Sequence, residues 1–343
     1  MRFLHKIILI FIIAMAFLSC TKNNEIKEPV WSDLPTVTNL DSLKQTEFVA
    51  TLENTITENK NIIYSPTLLF AWDKIKSELN SNITLNKTQS EDFKLLNQSN
   101  SYKNSLLESE YTADVKIDGN NISVKTFFNK TLPFPIKLDK LYDSIIFNEK
   151  KVASFGMKSF DYEKTTFTKL LYYKSDDEFI LKFIPKDSNE EIILSKGLNP
   201  TNTLTEAVKQ VNELIEKGKI EKKDTNLLWK YYIIEKDVFS IPMLKLNIEK
   251  NYKNIENQLF LSGSNSYKIV KAYQRTGFIL NENGAAAEGE ASMETLSMAL
   301  AEENIQKPKK LIFDKPFIIL MRNIKKSNPY FVMKVDNTEL MIK

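Results

Sequence analysis

The sequence predicts one α+β domain, with helices early and mid-chain and strands dominating the second half. Three observations carry this. Apolar residues recur at helical spacing only in separated early and middle stretches, while period-two alternation governs most of the chain after Tyr111. No internal repeat is present. At 343 residues with 42% hydrophobic content, the chain is long enough to bury a sizeable core as a single large domain.

In order, residues 41–58 read as a helix capped by Asp41, with Phe48, Val49, Leu52 and Ile56 on its inner face. Asn61 to Tyr64 reads as a core strand. Ser65 is a good N-cap and Pro66 a good first helical residue for a helix burying Leu68, Leu69, Trp72, Ile75 and Leu79. Residues 80–110 are Asn/Ser-rich and irregular, with a short helix around Glu91 to Leu96. Ala113 to Ile117 and Ile122 to Phe128 form a hairpin around the turn Asp118-Gly119-Asn120-Asn121. A second β-rich block runs from Val152 to Leu194, in which Phe179 to Ile184 is buried on both faces. Thr203-x-x-Glu206 is a capping box opening a helix through Ile215, closed by Gly218. Lys217 to Lys223 alternates in sign, as a solvated helix end does.

The most informative segment follows the strand Tyr267 to Leu280. In Glu282-Asn283-Gly284-Ala285-Ala286-Ala287-Glu288-Gly289-Glu290-Ala291-Ser292, an extended backbone puts Ala285, Ala287, Gly289 and Ala291 on one face. Ala286, Glu288 and Glu290 take the other. One face is all small, and Met293, Thr295 and Ser297 continue it without proline or charge. Such a strand fits between two existing strands, leaving its carboxylates in water. Ala285 to Gln306 also has high helix propensity, with only Gly289 against it, so an exposed amphipathic helix is the competing reading.

Composition excludes much chemistry. The only His is His5 and the only Cys is Cys20. Residues 2–19 have Arg2 and Lys6, then the apolar run Ile7 to Leu18, which is short for a spanning helix. Ending at Ser19-Cys20, this reads as a bacterial lipoprotein signal, against an ordinary secretory signal or a membrane anchor. The expected organisation is a signal over 1–19, a lipidated tether over 20–40 attached to a membrane through Cys20, and the domain over 41–343. A mature chain of that kind has no thiol or imidazole in its domain, so usual zinc sites and Ser-His or Cys-His catalysis are out. Asp176-Asp177 and Glu190-Glu191 read as turns between strands rather than catalytic carboxylates. Removing Arg2 and Lys6 from the 47 basic residues leaves 45 against 44 acidic ones. No basic stripe carries interleaved aromatics, so no nucleic-acid partner is expected. Neither a metal nor another cofactor is expected, and the chain is read as a monomer.

Several segments together resemble the serpin family. Glu282-x-Gly284-Ala285-x-Ala287 is similar to its hinge, and Phe313-Asp314-Lys315-Pro316-Phe317 and Pro329-Tyr330-Phe331-Val332-Met333-Lys334-Val335 to its C-terminal strands. Asn61-Ile62-Ile63-Tyr64-Ser65-Pro66 and Phe239-Ser240-Ile241-Pro242-Met243-Leu244-Lys245-Leu246 fit two further strands. The resemblance implies a large, mostly antiparallel central sheet with helices and an exposed reactive loop over about 282–312. It implies no enzyme, but a suicide substrate of serine, or cysteine, endopeptidases, which the lipoprotein signal would place outside the cytoplasm, at the outer membrane or cell surface. Its hinge residues are Glu282, Gly284, Ala285, Ala287, Gly289 and Ala291.

The family's spacing puts the cleaved bond at Met298-Ala299, with Leu296 and Leu300 nearly as good, which suits targets of elastase, chymotrypsin or subtilisin type. The departures are also specific. Only 62 residues separate Ser65 from Phe128, roughly half the family's spacing, so the N-terminal half is reduced. Leu132 and Leu68 stand where the family has Trp and Ser, and 28 residues separate Gly284 from Phe313, against roughly twenty in the family. A non-inhibitory surface lipoprotein of the same fold, binding a partner, is the alternative.

Overall fold

The computed structural model describes residues 34–86, 88–128, 130–285 and 308–343. The expected signal and most of the tether, Cys20 included, lie outside them. Packing starts ahead of residue 41: β1 (Thr38–Asn39) leads into a 3-10 turn, Leu40–Ser42, in which Leu40 is buried and the Asn39 side chain accepts from the Asp41 amide.

No helix forms over 41–58. β2 (Thr46–Val49) takes its place, parallel to β3 (Asn61–Tyr64) with Thr46 opposite Asn61. Phe48, Val49, Leu52 and Ile56 are buried all the same. Thr46, Phe48 and Val49 favour a strand. The Glu339 carboxylate also holds this segment extended, accepting from the amides of Lys44 and Gln45 and from the Thr46 hydroxyl.

α1 (Thr67–Leu79) buries Leu68, Leu69, Trp72 and Ile75. Ser65 does not cap it, because its hydroxyl is turned into the core against Gln274 and Thr276. β4 (Ile83–Leu85) and α2 (Glu91–Gln98) follow, α2 being capped by Ser90. β5 (Tyr111–Asp118) and β6 (Asn121–Phe128) form the expected hairpin, closed by only two residues.

Next come β7 (Leu132–Pro133), β8 (Asp139–Phe147), β9 (Lys150–Met157), α3 (Tyr162–Phe167), β10 (Thr168–Ser175), β11 (Glu178–Phe183) and β12 (Glu190–Lys196). Asp176-Asp177 is the β10–β11 turn, as expected. Glu190-Glu191 instead begins β12 and is buried: Glu190 accepts from Lys130 and from the Tyr330 hydroxyl, and Glu191 pairs with Lys182 and Arg322. Both carboxylates are committed to structure. α4 (Leu204–Glu221) is capped by Thr203, but it runs through Gly218 instead of ending there. A Cβ at Gly218 would lie 2.0 Å from the Leu171 carbonyl oxygen, so this glycine allows α4 to lie against β10.

The remaining strands are β13 (Val238–Pro242), β14 (Leu244–Asn251), β15 (Leu259–Ser262), β16 (Asn265–Asn281), β17 (Gly284–Ala285), β18 (Lys310–Ile312), β19 (Phe317–Asn323) and β20 (Phe331–Val335). They complete three sheets. The central one has nine strands, mostly antiparallel: β1-β14-β16-β15-β4, with β6, β5, β17 and β7 joined through β16. A seven-stranded sheet runs β10-β11-β12-β19-β20-β3-β2, and a four-stranded one β18-β13-β9-β8. The α+β class with a large central sheet is therefore observed. One core holds Leu132, Phe134, Phe278, Ala285 and the interior of the small sheet; the other packs α1, α2 and α4 beneath the central and seven-stranded sheets.

Candidate functional site

The site is the point where the chain leaves β16 and turns back into the central sheet. Asn281 pairs with Gly284 and Leu280 with Ala285, so Glu282 and Asn283 form a two-residue turn. The Asn281 side chain accepts from the Asn283 amide at 2.9 Å. The carbonyls of Asn283 and Glu282 accept from the amides of Phe134 and Leu138, each at 2.9 Å. The Glu282 carboxylate lies 3.6 Å from the Lys137 ammonium.

Gly284 has φ +120°, and a Cβ there would stand 2.5 Å from the Leu132 carbonyl oxygen and 2.7 Å from the Phe134 amide. Only glycine fits this position. On its other side β17 is antiparallel to β7, with Gly284 opposite Pro133 and Ala285 opposite Leu132. Ala285 is thus wedged between Leu280 and Leu132, 1% exposed and facing the core. The expected inward position of Ala285 is thus a buried one.

Below this wedge the sheet is closed. β6 and β16 pair directly and in parallel, from Asn121 opposite Lys268 to Phe128 opposite Thr276. Leu132 and Leu280, the flanks of Ala285, each lie four residues beyond that last pair. The open and closed parts of the sheet therefore share one register. A strand continuing β17 downward would meet both walls in register as far as Lys271 and Ser123, below which the ladder shifts by one residue at Val270.

Beneath the closed part lies a buried polar cluster that sequence reasoning missed. Gln274 donates to the Ser65 carbonyl at 3.3 Å and to the Ser65 hydroxyl, and accepts from the Tyr252 hydroxyl at 2.7 Å. The Thr126 hydroxyl accepts from Thr67 at 3.2 Å and reaches the Tyr273 carbonyl at 3.3 Å, across the β6–β16 ladder. Burial pushes the Tyr64 and Tyr252 hydroxyls far above their ordinary pKa, so both stay neutral, Tyr252 as the donor to Gln274. The one signal available was a set of uncharged polar residues at inward positions of strands, Thr126, Gln274 and Thr276.

The far root of the segment is also anchored. Lys309 and Asp237 form an ion pair at 2.7 Å with side chains 1% and 0% exposed, and the Lys309 amide donates to the same carboxylate at 2.7 Å. The Lys309 ammonium also lies over the rings of Trp229 and Tyr173. β18 then pairs in parallel with β13. Of the expected site residues, Glu282, Gly284 and Ala285 are brought together here. Ala287, Gly289, Ala291, Met298 and Ala299 lie outside the described residues, as does Cys20. Leu132 abuts the hinge, and Leu68 is buried in α1.

Among the described residues no helix is long and apolar enough to cross a membrane, and no group of three or more His, Cys, Asp or Glu side chains is placed to hold a metal ion. No family model and no curated protein matches the chain. Solved structures do. A serpin from the trematode Schistosoma haematobium matches with a TM-score of 0.46 at 11% identity, covering 82% of this chain and 94% of that one. Thyroxine-binding globulin in complex with thyroxine gives 0.44 at 11%, covering 82% and 94%. The Manduca sexta serine protease inhibitor serpin-12 gives 0.38 at 12%, covering 65% of this chain and 57% of that one. The solved structures to which this fold is similar are thus serpins, at low identity.

Proposed function

We propose that this chain is a serpin-type protease inhibitor: a suicide substrate that offers residues 286–307 as bait and, once cut, inserts their N-terminal side into the central sheet. The observation that carries the reading is β17. Two residues of the proposed hinge, Gly284 and Ala285, stand between the walls formed by β16 and β7, in the register that the closed β6–β16 ladder continues. Extending β17 replaces one parallel ladder with two antiparallel ones, the better-paired geometry, and so gains a whole ladder of hydrogen bonds.

The step is an acyl transfer interrupted. The protease serine or thiol attacks the carbonyl of Met298, the bond to Ala299 breaks, and the new amine leaves with the C-terminal fragment. The acyl-enzyme is then carried along with the inserting strand. From Ala285 to Met298 an extended strand spans about 45 Å, enough to move the enzyme from one end of the sheet to the other. Deacylation stalls if that displacement distorts the enzyme's active site. The Lys309–Asp237 pair supports this by holding the far root on β13 while the near root moves. Methionine before the cut suits elastase-, chymotrypsin- or subtilisin-type pockets. Cys20, lipidated, would hold the inhibitor on the outer side of a bacterial membrane, where such proteases act.

One observation favours the alternative, a non-inhibitory surface lipoprotein that binds a partner. Opening the sheet must break the bond from Thr126 to the Tyr273 carbonyl together with the ladder above it. Incubation with elastase, chymotrypsin, subtilisin and papain, followed by denaturing gels and mass analysis, separates the two. The inhibitor gives an adduct that survives denaturation and a C-terminal fragment starting near Ala299. Clean cleavage without an adduct gives the lead to the binding protein.

A further inference from the structure

The chain enters the domain across the outward face of the central sheet. β1 pairs with β14 at the sheet edge, and the strap ahead of it crosses β14 toward β16. The Pro35 carbonyl accepts from the Asn247 side chain at 2.7 Å, and Leu34 lies over Gly277. Asn247 and Gly277 stand opposite each other, between the buried pairs Leu246–Phe278 and Ile248–Thr276, so both face away from the core. Both are buried all the same, because the strap covers them. A Cβ at residue 277 would lie 2.5 Å from a Leu34 methyl, so the glycine makes the seat. The described residues thus begin over β16, well inside the sheet, rather than at its rim.

The same face is basic and apolar. β6, β15 and β16 carry Lys125, Lys268, Lys271 and Arg275 and no acidic residue. Lys125 and Lys271 are exposed, and so are Leu259, Leu261 and Val270. Leu259 stands opposite Lys268 and Leu261 opposite Ser266, on the outward side, since Phe260 between them is buried. The acidic residues of the face, Asp114 and Asp118 on β5 and Glu249 on β14, lie on the strands to either side.

We propose that this outward face, from Lys125 on β6 to Leu261 on β15, docks on the headgroups of an anionic bilayer. The proposal rests on the lipid-anchored reading of Cys20. Cys20 lies fourteen residues before Leu34, a reach of at most about 50 Å at roughly 3.5 Å per residue. So short a tether, rooted on this face, holds it at high local concentration beside the membrane, and weak contacts then suffice. Each lysine or arginine at an anionic surface strengthens such a contact about fivefold. The exposed leucines and valine supply apolar area for the headgroup layer.

The test uses the full chain reconstituted in phosphatidylcholine vesicles, with and without phosphatidylglycerol, and maps lysine acetylation by mass. The mass of the Cys20 peptide reports the anchor. On anionic vesicles at low salt, acetylation of Lys125, Lys268 and Lys271 should fall by roughly threefold or more relative to neutral vesicles. Lys209 and Lys219, exposed on α4, should react equally on both. In about 1 M salt, where screening acts within about 3 Å, the protection should vanish. Lys268→Glu/Lys271→Glu should return Lys125 to its neutral-vesicle reactivity. A chain without an acyl group on Cys20 overturns the anchored reading and the docking with it. An acylated chain whose lysines react alike on both vesicle types overturns the docking alone. Equal protection of Lys209 and Lys219, or protection of Lys125 unmoved by Lys268→Glu/Lys271→Glu, does the same.

Discussion

Ala285→Arg tests the hinge where the structure is most demanding. The methyl group lies 1% exposed between Leu132 and Leu280, inside the apolar cluster that also holds Phe134 and Phe278. A guanidinium placed there would have no counter-charge and would cost several kcal/mol, more than the alternative of expelling β17. Expulsion gives up one buried methyl, about 0.8 kcal/mol, and a few ladder bonds at about 0.5–1.5 kcal/mol each. The intact variant should therefore fold and lose only about 2–4 kcal/mol, or about 3–6 °C in Tm.

The functional loss should be larger, because insertion cannot begin without carrying the charge inward. With elastase, the fraction of protease ending in a denaturation-resistant adduct should fall at least tenfold, and cut variant should show no rise in Tm. Ala286→Arg is the control. A strand that inserts in the same register would turn this position outward, so trapping should stay within about twofold of wild type. An Ala285→Arg variant that traps as well as wild type would refute the register, and equal losses in both variants would refute the inward–outward assignment.

Three further outcomes follow from particular contacts. Lys309→Met leaves the carboxylate of Asp237 buried without its cation, which should cost about 3–5 kcal/mol and lower Tm by about 5–8 °C by circular dichroism; an unchanged Tm would mean the amides of Lys309 and Ile234 satisfy Asp237 by themselves. Thr126→Val removes the bond to the Tyr273 carbonyl and the acceptor for Thr67, at about 1–3 kcal/mol. Hydrogen exchange should then quicken at β6 and β16 more than at β19, and uniform change would argue against a local opening there. Glu221 gives a pH signature. Burial alone would raise its carboxyl, but hydrogen bonds from Lys230 and Tyr231, both at 2.9 Å, and the charges of Lys230 and Lys217 hold it below its usual 4.5. A depressed carboxylate contributes stability that is whole above pH 4.5 and is lost as pH falls through the folded value. The stability gap between wild type and Glu221→Gln, read from urea unfolding, should narrow from pH 7 toward pH 3; a constant gap would show that charge is not its source.

The legible parts of the fold were those whose determinants are local. Period-two alternation located the β5–β6 hairpin, β11 and β16, and the small-residue alternation after Gly284 placed Ala285 inward, where it lies. The errors arose where a distant partner decides. Phe48, Val49, Leu52 and Ile56 fit a helical face, yet a strand followed by turns buries the same four residues. What fixes the strand is Asn61 alongside it and Glu339, nearly three hundred positions away. Ser65 has the chemistry of an N-cap, but Gln274 takes its hydroxyl. Gly218 looks like a helix stop until Leu171 is seen against it. The polar cluster beneath the ladder was illegible for the same reason, since Ser65, Thr126 and Gln274 become neighbours only through the sheet.

The reduced N-terminal half bears on insertion through its position rather than its size. A strand entering the central sheet needs two walls that separate, a hinge between them and a floor that can re-form. One wall is β16 with β14 and β15, and the other is β6 with β5 and β7; all are present. Where the chain is short, between α1 and β6, the consequence is that β5 turns into β6 through two residues and has no further strand beyond it among the described residues. The short connection thus trims the outer margin of the β5–β6 side and leaves the β6–β16 ladder itself complete. That wall is lighter and held at its base by α1, which packs under β5 and β6 and carries Thr67 of the polar cluster. On the proposed insertion, the barrier to opening sits in the β6–β16 ladder and the Thr126–Tyr273 and Gln274–Ser65 bonds beneath it, all of them present among the described residues.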